Sequence, residues 1–329
     1  MGIESQLAVA IQAVRSAAKV CVAVQQDLVT AETLEKKDKS PVTVADFASQ
    51  AVVCKHLIDA MPQVRVVGEE GADDLRGDEV EELRASVTRH ASGQVGQASE
   101  DQVLAWIDRG GFDPTSEIAP SSYWTLDPID GTKGFLRGQQ YAIALALIEN
   151  GQVTLGVLGC PNLPTADGTT GSVFTAARGR GAQVLPLEGE SLEGQTIRVD
   201  QVAAASEARF CESVESGHSN QDDSARIAAK LGITADPYRI DSQCKYAAVA
   251  RGDASIYLRL PTSADYREKI WDHGAGSIVV EEAGGTVTDV TGAPLDFSLG
   301  RKLENNRGII ATNGRFHGEV VEAVQSVIG

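Results

Sequence analysis

Residues 124–138 read WTLDPIDGTKGFLRG, and this stretch decides how the rest of the chain is to be read. An aromatic, β-branched lead-in ends in two aspartates three apart, Asp127 and Asp130, and Gly131-Thr132 follows at once. Pro128 fixes its own φ and disfavours helix before it, so a tight turn here would gather both carboxylates and the Ile129 carbonyl on one side. In a dry pocket two such carboxylates need water or a cation between them. Hard oxygen donors of this kind suit Mg²⁺ or Mn²⁺ rather than zinc. Gly131-Thr132 supplies the other half of a phosphate site, because backbone amides at a glycine turn opening toward a helix receive anions. Two metals about 4 Å apart would orient and deprotonate a water and stabilise the departing oxygen of an in-line displacement.

Working outward, QYAIALALIE and QVTLGVLGC read as strands joined by Asn150-Gly151, a strong hairpin signal. GSVFTAARG and GAQVLPL form a second pair, and the polar stretch around residues 187–205 reads as a seam. Beyond it, strands and helices alternate from ARFCESV to a terminal helix starting at Arg315, the pattern of layered α/β construction. Upstream, Leu7, Ala10, Ile11, Val14, Ala17, Ala18, Cys21 and Val24 have the spacing of an amphipathic helix. A second helix carries the stripe Phe47, Ala51, Cys54, Ile58, with Thr43 as its N-cap and Pro62 beyond its end. That places Asp46 in the first turn, where an acid favours the helix dipole. VRVVGEE is a short strand from whose end Glu69 and Glu70 project, and the polar residues 71–120 form an excursion with two short helices, a candidate lid. Asp272 taken alone reads as a helix N-cap. Acids thus collect at element ends: Asp46, Glu69 with Glu70, Asp127 with Asp130, and Asp272.

The whole chain is 329 residues with 42% hydrophobic content, enough to bury a core. Its formal charge of −17 disfavours nucleic acid and acidic membrane surfaces as partners. No apolar run is read as a membrane span and no signal-peptide pattern is read at the N-terminus, so a soluble protein is expected, cytoplasmic or inside an organelle after loss of a transit peptide. The five cysteines are scattered and form no C-x-x-C pair, which reads as isolated buried thiols in a reducing compartment.

SPVTVADFASQ, VVGEE, WTLDPIDGTKGFLRG, VESGHS, DSQCKYAAVARG, YLRLP and EKIWDHGAGSIVVEEAGG together resemble the 3'(2'),5'-bisphosphate nucleotidases, Mg²⁺-dependent, lithium-inhibited phosphatases of the inositol monophosphatase and fructose-1,6-bisphosphatase superfamily. The resemblance runs from about Ser40 to Asn313. It implies that Glu69, Asp127, the Ile129 carbonyl, Asp130 and Asp272 ligate two or three Mg²⁺ ions, with Mn²⁺ as a substitute. It implies catalytic roles for Asp46, Thr132 and Glu69, with Asp46 paired to Thr132 to polarise the attacking water. Gly131, Thr132, His218, Ser242, Lys245, Arg259 and Asp272 would contact the nucleotide. Gly274 stands where the superfamily usually has Ala or Cys, and a glycine inside a helix costs about 1 kcal/mol. Gly71 stands where Ser often follows the paired glutamates.

The resemblance implies a five-layer α/β/α/β/α sandwich with a metal-bearing N-terminal domain over 1–200, including the lid excursion 71–120, and a nucleotide-contacting domain over 201–329. The implied reaction is hydrolysis of adenosine 3',5'-bisphosphate (PAP) to AMP and phosphate, with the adenylyl sulfate bearing the same 3'-phosphate (PAPS) as a second substrate, a step of sulfur metabolism. A monomer with a small-molecule nucleotide substrate is expected. The alternatives are an inositol polyphosphate 1-phosphatase of the same superfamily and, in another class, a nucleotide or cation sensor that binds without turnover.

Overall fold

Two sheets organise the chain in the computed structural model, which describes residues 1–28, 40–116, 122–214, 221–261, 263 and 265–328. The first sheet has the order β1-β2-β3-β4-β5-β6-β7: β1 (Val66–Gly68), β2 (Ser122–Asp130), β3 (Ala142–Glu149), β4 (Gln152–Pro164), β5 (Thr170–Ala177), β6 (Ala182–Pro186) and β7 (Gln195–Ile197). The second has the order β11-β12-β10-β8-β9, from β8 (Phe210–Glu212), β9 (Tyr238–Arg239), β10 (Ile256–Arg259), β11 (Thr286–Thr288) and β12 (Ile309–Thr312). The described helices are α1 (Ile3–Leu28), α2 (Ser40–Ala60), α3 (Glu81–Val95), α4 (Glu100–Ile107), α5 (Thr132–Leu136), α6 (Gln221–Leu231), α7 (Cys244–Arg251), α8 (Gly274–Glu282) and α9 (His317–Ile328).

The period-two alternation of β3 assigns its two faces. Ile143, Leu145 and Leu147 join the core under α1 and α2, while Ala142, Ala144 and Ala146 face the opposite side. Those small residues let α8 lie close on the sheet: a Cβ added at Gly156 of β4 would come within 2.5 Å of Ile278. Buried from Gly274 to Val280, α8 touches β3, β4 and β5 on one side and β11 and β12 on the other, with α7 beside it. Ile227 of α6 and Val320 and Val324 of α9 close the far face of the second sheet against Ile256, Leu258 and Ile310. The layers are therefore α1/α2, sheet, α7/α8, sheet, α6/α9, a five-layer α/β/α/β/α sandwich.

The β3–β4 hairpin turns through Asn150 and Gly151, both left-handed at φ 51° and 75°, as a two-residue turn between twisted strands requires. All five cysteines are free and buried. Helix α1 is long and apolar enough, by length and composition over Ile3–Asp27, to cross a membrane, which the sequence reading had not allowed for. In this fold its residues Ala10, Ile11, Ala13, Val14, Ala17 and Cys21 are core residues against α2 and the first sheet.

Several local expectations are corrected. Helix α2 begins at Ser40, so Thr43 lies inside it and Asp46 falls in the second turn, past the reach of the terminal dipole. Strand β2 continues through Pro128 to Asp130 with a register shift between Asp127 and Asp130, and the chain turns only at Gly131, φ 91°. The expected seam contains β7, paired antiparallel to β6. Gly274 opens α8 instead of interrupting it, so the interior penalty does not apply. Within the excursion, α3 and α4 pack against α2 and bury Val87, Ala91, Val103 and Ile107 in the first core; Ser99 and Gln102 form a capping box on α4.

Candidate active site

A cavity of about 400 Å³ is lined by residues at the end of β2, in the turn entering α7, on β10 and just ahead of α8. Glu69, Asp127, Asp130 and Asp272 line it together with Lys245 and Arg259. Gly131, Thr132, Ser242 and the Ile129 backbone position are also in its wall.

Glu69, Asp127 and Asp130 are each held by a traceable contact. Glu69 follows β1, and its amide donates to the Leu126 carbonyl at 3.2 Å. Arg301 Nη2 donates to the Gly68 carbonyl at 2.6 Å. The fully buried Gln50 grips residue 70 in both directions, Nε2 donating to its carbonyl at 2.7 Å and Oε1 accepting from its amide at 3.1 Å. The same Nε2 donates to the Ile107 carbonyl at 3.0 Å, tying the excursion to this turn. Gly68 and Gly110 make room for Gln50, since a Cβ on either would lie 2.5 Å from it. From the neighbouring α2 position, Ser49 Oγ donates to the Pro128 carbonyl at 3.0 Å. Asp127 Oδ1 accepts from the Ile129 amide at 3.1 Å, and Asp130 Oδ2 from the Gln243 amide at 2.5 Å.

The electrostatics of the acids are those of crowded anions. Burial, with Glu69, Asp130, Asp272 and Asp46 adding to it, drives the Asp127 carboxyl well above the usual range. Burial and then Asp272 and Glu70 push Glu69 up to about 7; burial and then Asp130, against the pull of His273, push Asp272 to about 6. Burial also raises Asp130, though Lys245, the Gln243 amide and Arg259 work against it. Asp127 is buried, Asp130 and Asp272 are half-buried and Glu69 is exposed, and carboxylates crowded in this way are stable when all ionised only if water or a cation joins them. Hard oxygen donors with no thiolate among them fit Mg²⁺ or Mn²⁺.

No three of these four acids place ligand atoms within 4.8 Å of one another; among the described residues that closeness is met by Glu268, Asp272 and His273. Glu268 and His273 were not picked out from the sequence, although both flank Asp272 in EKIWDHGAG. They form a buried chain: the Tyr246 hydroxyl lies 2.8 Å from His273 Nδ1, His273 Nε2 lies 3.1 Å from Glu268 Oε2, and Arg259 Nε donates to Glu268 Oε1 at 3.4 Å. Burial alone would raise Glu268, but His273 and Arg259 outweigh it and hold the carboxyl below its ordinary range. Lys245, buried, sits 5.3 Å from the Tyr257 ring centroid, and burial lowers its pKa against the attraction of Asp130.

Among the remaining expected residues, Thr132 is exposed at the first position of α5. Ser242 takes a left-handed φ of 65° and approaches Gly131, where a Cβ would meet its own Cβ at 2.7 Å. Asp46 does not line the cavity, and no hydrogen bond joins it to Thr132 among the described residues; burial and then Glu70 and Glu69 raise its carboxyl well above the usual range. His218 lies outside the described residues.

Comparison with known proteins identifies the family of the chain. Residues 3–328 match the inositol monophosphatase family. The 3'(2'),5'-bisphosphate nucleotidase of Schizosaccharomyces pombe is 44% identical over 99% of this chain and 97% of its own, and that of Oryza sativa is 46% identical over 98% and 94%. Among solved structures, CysQ of Bacteroides thetaiotaomicron superposes with a TM-score of 0.66 at 20% identity, covering 95% of this chain and 98% of its own. The inositol monophosphatase of Anabaena does so at 0.62 and 21% identity, covering 99% and 98%. The chain belongs to the inositol monophosphatase family, and its similarity within that family runs over nearly its full length to the 3'(2'),5'-bisphosphate nucleotidases.

Proposed function

We propose that the chain removes the 3'-phosphate of PAP to give AMP and phosphate, with Mg²⁺ as cofactor and PAPS as a second substrate. The observation that carries this reading is that one cavity brings Glu69, Asp127, Asp130 and Asp272 together with the cationic Lys245 and Arg259; its wall also holds Asp241, ion-paired to Arg137, and the exposed Lys133. A monophosphate needs only the first four acids once metal is bound; a second phosphate calls for Lys245 and Arg259. The names of the similar relatives support the same substrate class.

Glu69, Asp127, the Ile129 carbonyl, Asp130 and Asp272 would hold two or three Mg²⁺ ions. When bound, such ions neutralise phosphoryl oxygens and make water a nucleophile at neutral pH. The chain's own residues do the rest. Gly131 and Thr132, at the turn entering α5, receive phosphoryl oxygen through an amide and a hydroxyl. Asp46, its proton affinity raised by burial and by Glu70 and Glu69, is assigned to take the proton of the attacking water by way of the Thr132 hydroxyl, a relay that needs the two side chains, not bonded to each other in this structure, to come within hydrogen-bond reach. The water oxygen bonds to phosphorus as the bond to the 3'-oxygen breaks, and that oxygen takes a proton from solvent. Ser242, Lys245 and Arg259, with His218, hold the remainder of the nucleotide. Li⁺ entering one of the metal positions inhibits.

Phosphate release from PAP, PAPS and inositol 1,4-bisphosphate, measured in Mg²⁺ with and without Li⁺, tests the reading. PAP turnover suppressed by Li⁺ is expected. Preference for the inositol phosphate moves the assignment to that activity, and nucleotide binding without phosphate release in a single turnover makes the chain a sensor.

A further inference from the structure

Gln243 is buried, 2% exposed, in the turn between Ser242 and α7, and it touches three separate segments at once. Its backbone amide donates to Asp130 Oδ2 at 2.5 Å. Its side-chain Nε2 donates to the Trp271 carbonyl at 2.9 Å, one residue before Asp272. Its Oε1 accepts from the Gly276 amide at 3.1 Å, in the first turn of α8. A carbonyl only accepts and a backbone amide only donates, so these two partners fix which side-chain atom is nitrogen and which is oxygen.

We propose that Gln243 is a positioning residue of the metal site, setting the placement of Asp130 relative to Asp272. The two acids arrive from different layers, Asp130 at the end of a strand of the first sheet and Asp272 ahead of the central helix. Among the described residues, no other side chain bonds the Trp271 carbonyl or the Gly276 amide while its own backbone bonds a cavity carboxylate. The primary amide is the side-chain type that fits: a carboxylate has no donor for the Trp271 carbonyl, and a hydroxyl on a short stem does not span the Trp271 carbonyl and the Gly276 amide. The surroundings hold Gln243 in turn. The preceding Ser242 has its left-handed φ, its Oγ accepts from the Cys244 amide at 3.2 Å, and Gly276 has no Cβ because one would lie 2.2 Å from the Tyr246 ring. Ligands held within about half an ångström by supporting contacts bind metal better than the same ligands left to drift, and loss of such contacts lowers metal affinity about 10- to 100-fold.

The inference rests on the metal-site reading, and the test separates the two. Gln243→Ala keeps the backbone amide that bonds Asp130 and removes only the side-chain ties to the Trp271 carbonyl and the Gly276 amide. Asn306→Ala is the control: Asn306 is another buried amide that grips a carbonyl and an N–H, Pro294 at 3.0 Å and Asp296 at 2.8 Å, away from the cavity. Mg²⁺ binding is read by calorimetry on the metal-free full chain, and kcat and KM for PAP are read separately. Gln243→Ala is expected to bind Mg²⁺ about tenfold more weakly and to lose kcat with KM for PAP changed less than twofold, while Asn306→Ala lowers the melting temperature and leaves Mg²⁺ binding unchanged. A folded Gln243→Ala that binds Mg²⁺ within twofold of wild type overturns the role of Gln243; a wild-type chain that takes up no Mg²⁺ overturns the metal site itself. Should Gln243→Ala not fold, Gln243→Met keeps the volume without the hydrogen bonds and carries the same test. Failure of both to fold would make Gln243 structural only and overturn the proposal.

Discussion

Arg259 Nε and Glu268 Oε1 lie 3.4 Å apart, and through Glu268 the arginine is tied to His273 and Tyr246 in the layer between the sheets. Arg259 keeps its charge there: burial opposes it, but Tyr257, Glu268 and Asp272 outweigh burial and raise its pKa. Glu268→Ala leaves both Arg259 and His273 without this partner. Breaking a buried pair from one side costs about 3 kcal/mol, so the melting temperature should fall markedly and KM for PAP should rise more than kcat falls. Thermal melts and steady-state kinetics check this; an unchanged melting temperature would show that the contact is not made in solution.

Lys245 and Arg259 of the cavity should decide between one phosphate and two. Lys is not a substitute for the forked guanidinium, so Arg259→Lys is expected to raise KM for PAP about tenfold, equivalent to about 1.4 kcal/mol, and to change KM for 3'-AMP far less. Lys245→Met should act in the same direction. Equal losses on PAP and 3'-AMP would move these residues away from the second phosphate.

The pH dependence of stability follows from the raised carboxyls. Glu69 is pushed up to about 7 from 4.5 and Asp272 to about 6 from 3.8, so between about pH 4 and pH 7 the folded metal-free chain holds protons that the unfolded chain gives up. Stability from these groups is therefore highest at the acid end and falls as pH rises through that window. Mg²⁺ replaces those protons and reverses the trend. The gain in melting temperature on replacing EDTA by Mg²⁺ should be clearly larger at pH 7.5 than at pH 5.5. An equal gain at both would contradict the account of crowded acids.

The glycines of α8 should differ sharply. A Cβ at Gly276 would lie 2.2 Å from Tyr246 Cδ2, whereas one at Gly274 would lie 3.3 Å from Ala146 Cβ and Thr125 Cγ2. Overpacking of the first kind costs about 1–3 kcal/mol. Gly276→Ala is expected to lower the denaturation midpoint well below wild type, and Gly274→Ala to stay near it.

These elements also show which parts of the structure were legible in the sequence. Asn150-Gly151 announced its hairpin because the turn's left-handed pair is a local requirement. The acids Glu69, Asp127, Asp130 and Asp272 were legible because each lies in or beside an element that its own neighbours specify. Strand β7 was not, since Gln195-Thr196-Ile197 has no alternation of its own and becomes a strand only through pairing with β6. The start of α2 was misplaced because Thr43 looks like a cap whether or not helix precedes it. Gln50 and Gln243 were silent for a different reason: their partners lie 57 and 113 positions away, at Ile107 and Asp130, and a buried glutamine carries no sequence pattern that names them.

The central claim is that the carboxylates of this cavity work only through the divalent ions they hold. Phosphate release from PAP by wild type and by Asp130→Asn, each confirmed folded by circular dichroism and each assayed in Mg²⁺ and in EDTA, tests it most directly. The account predicts turnover by wild type in Mg²⁺ alone and none by Asp130→Asn in either condition. Full activity of the variant, or wild-type turnover in EDTA, would contradict it.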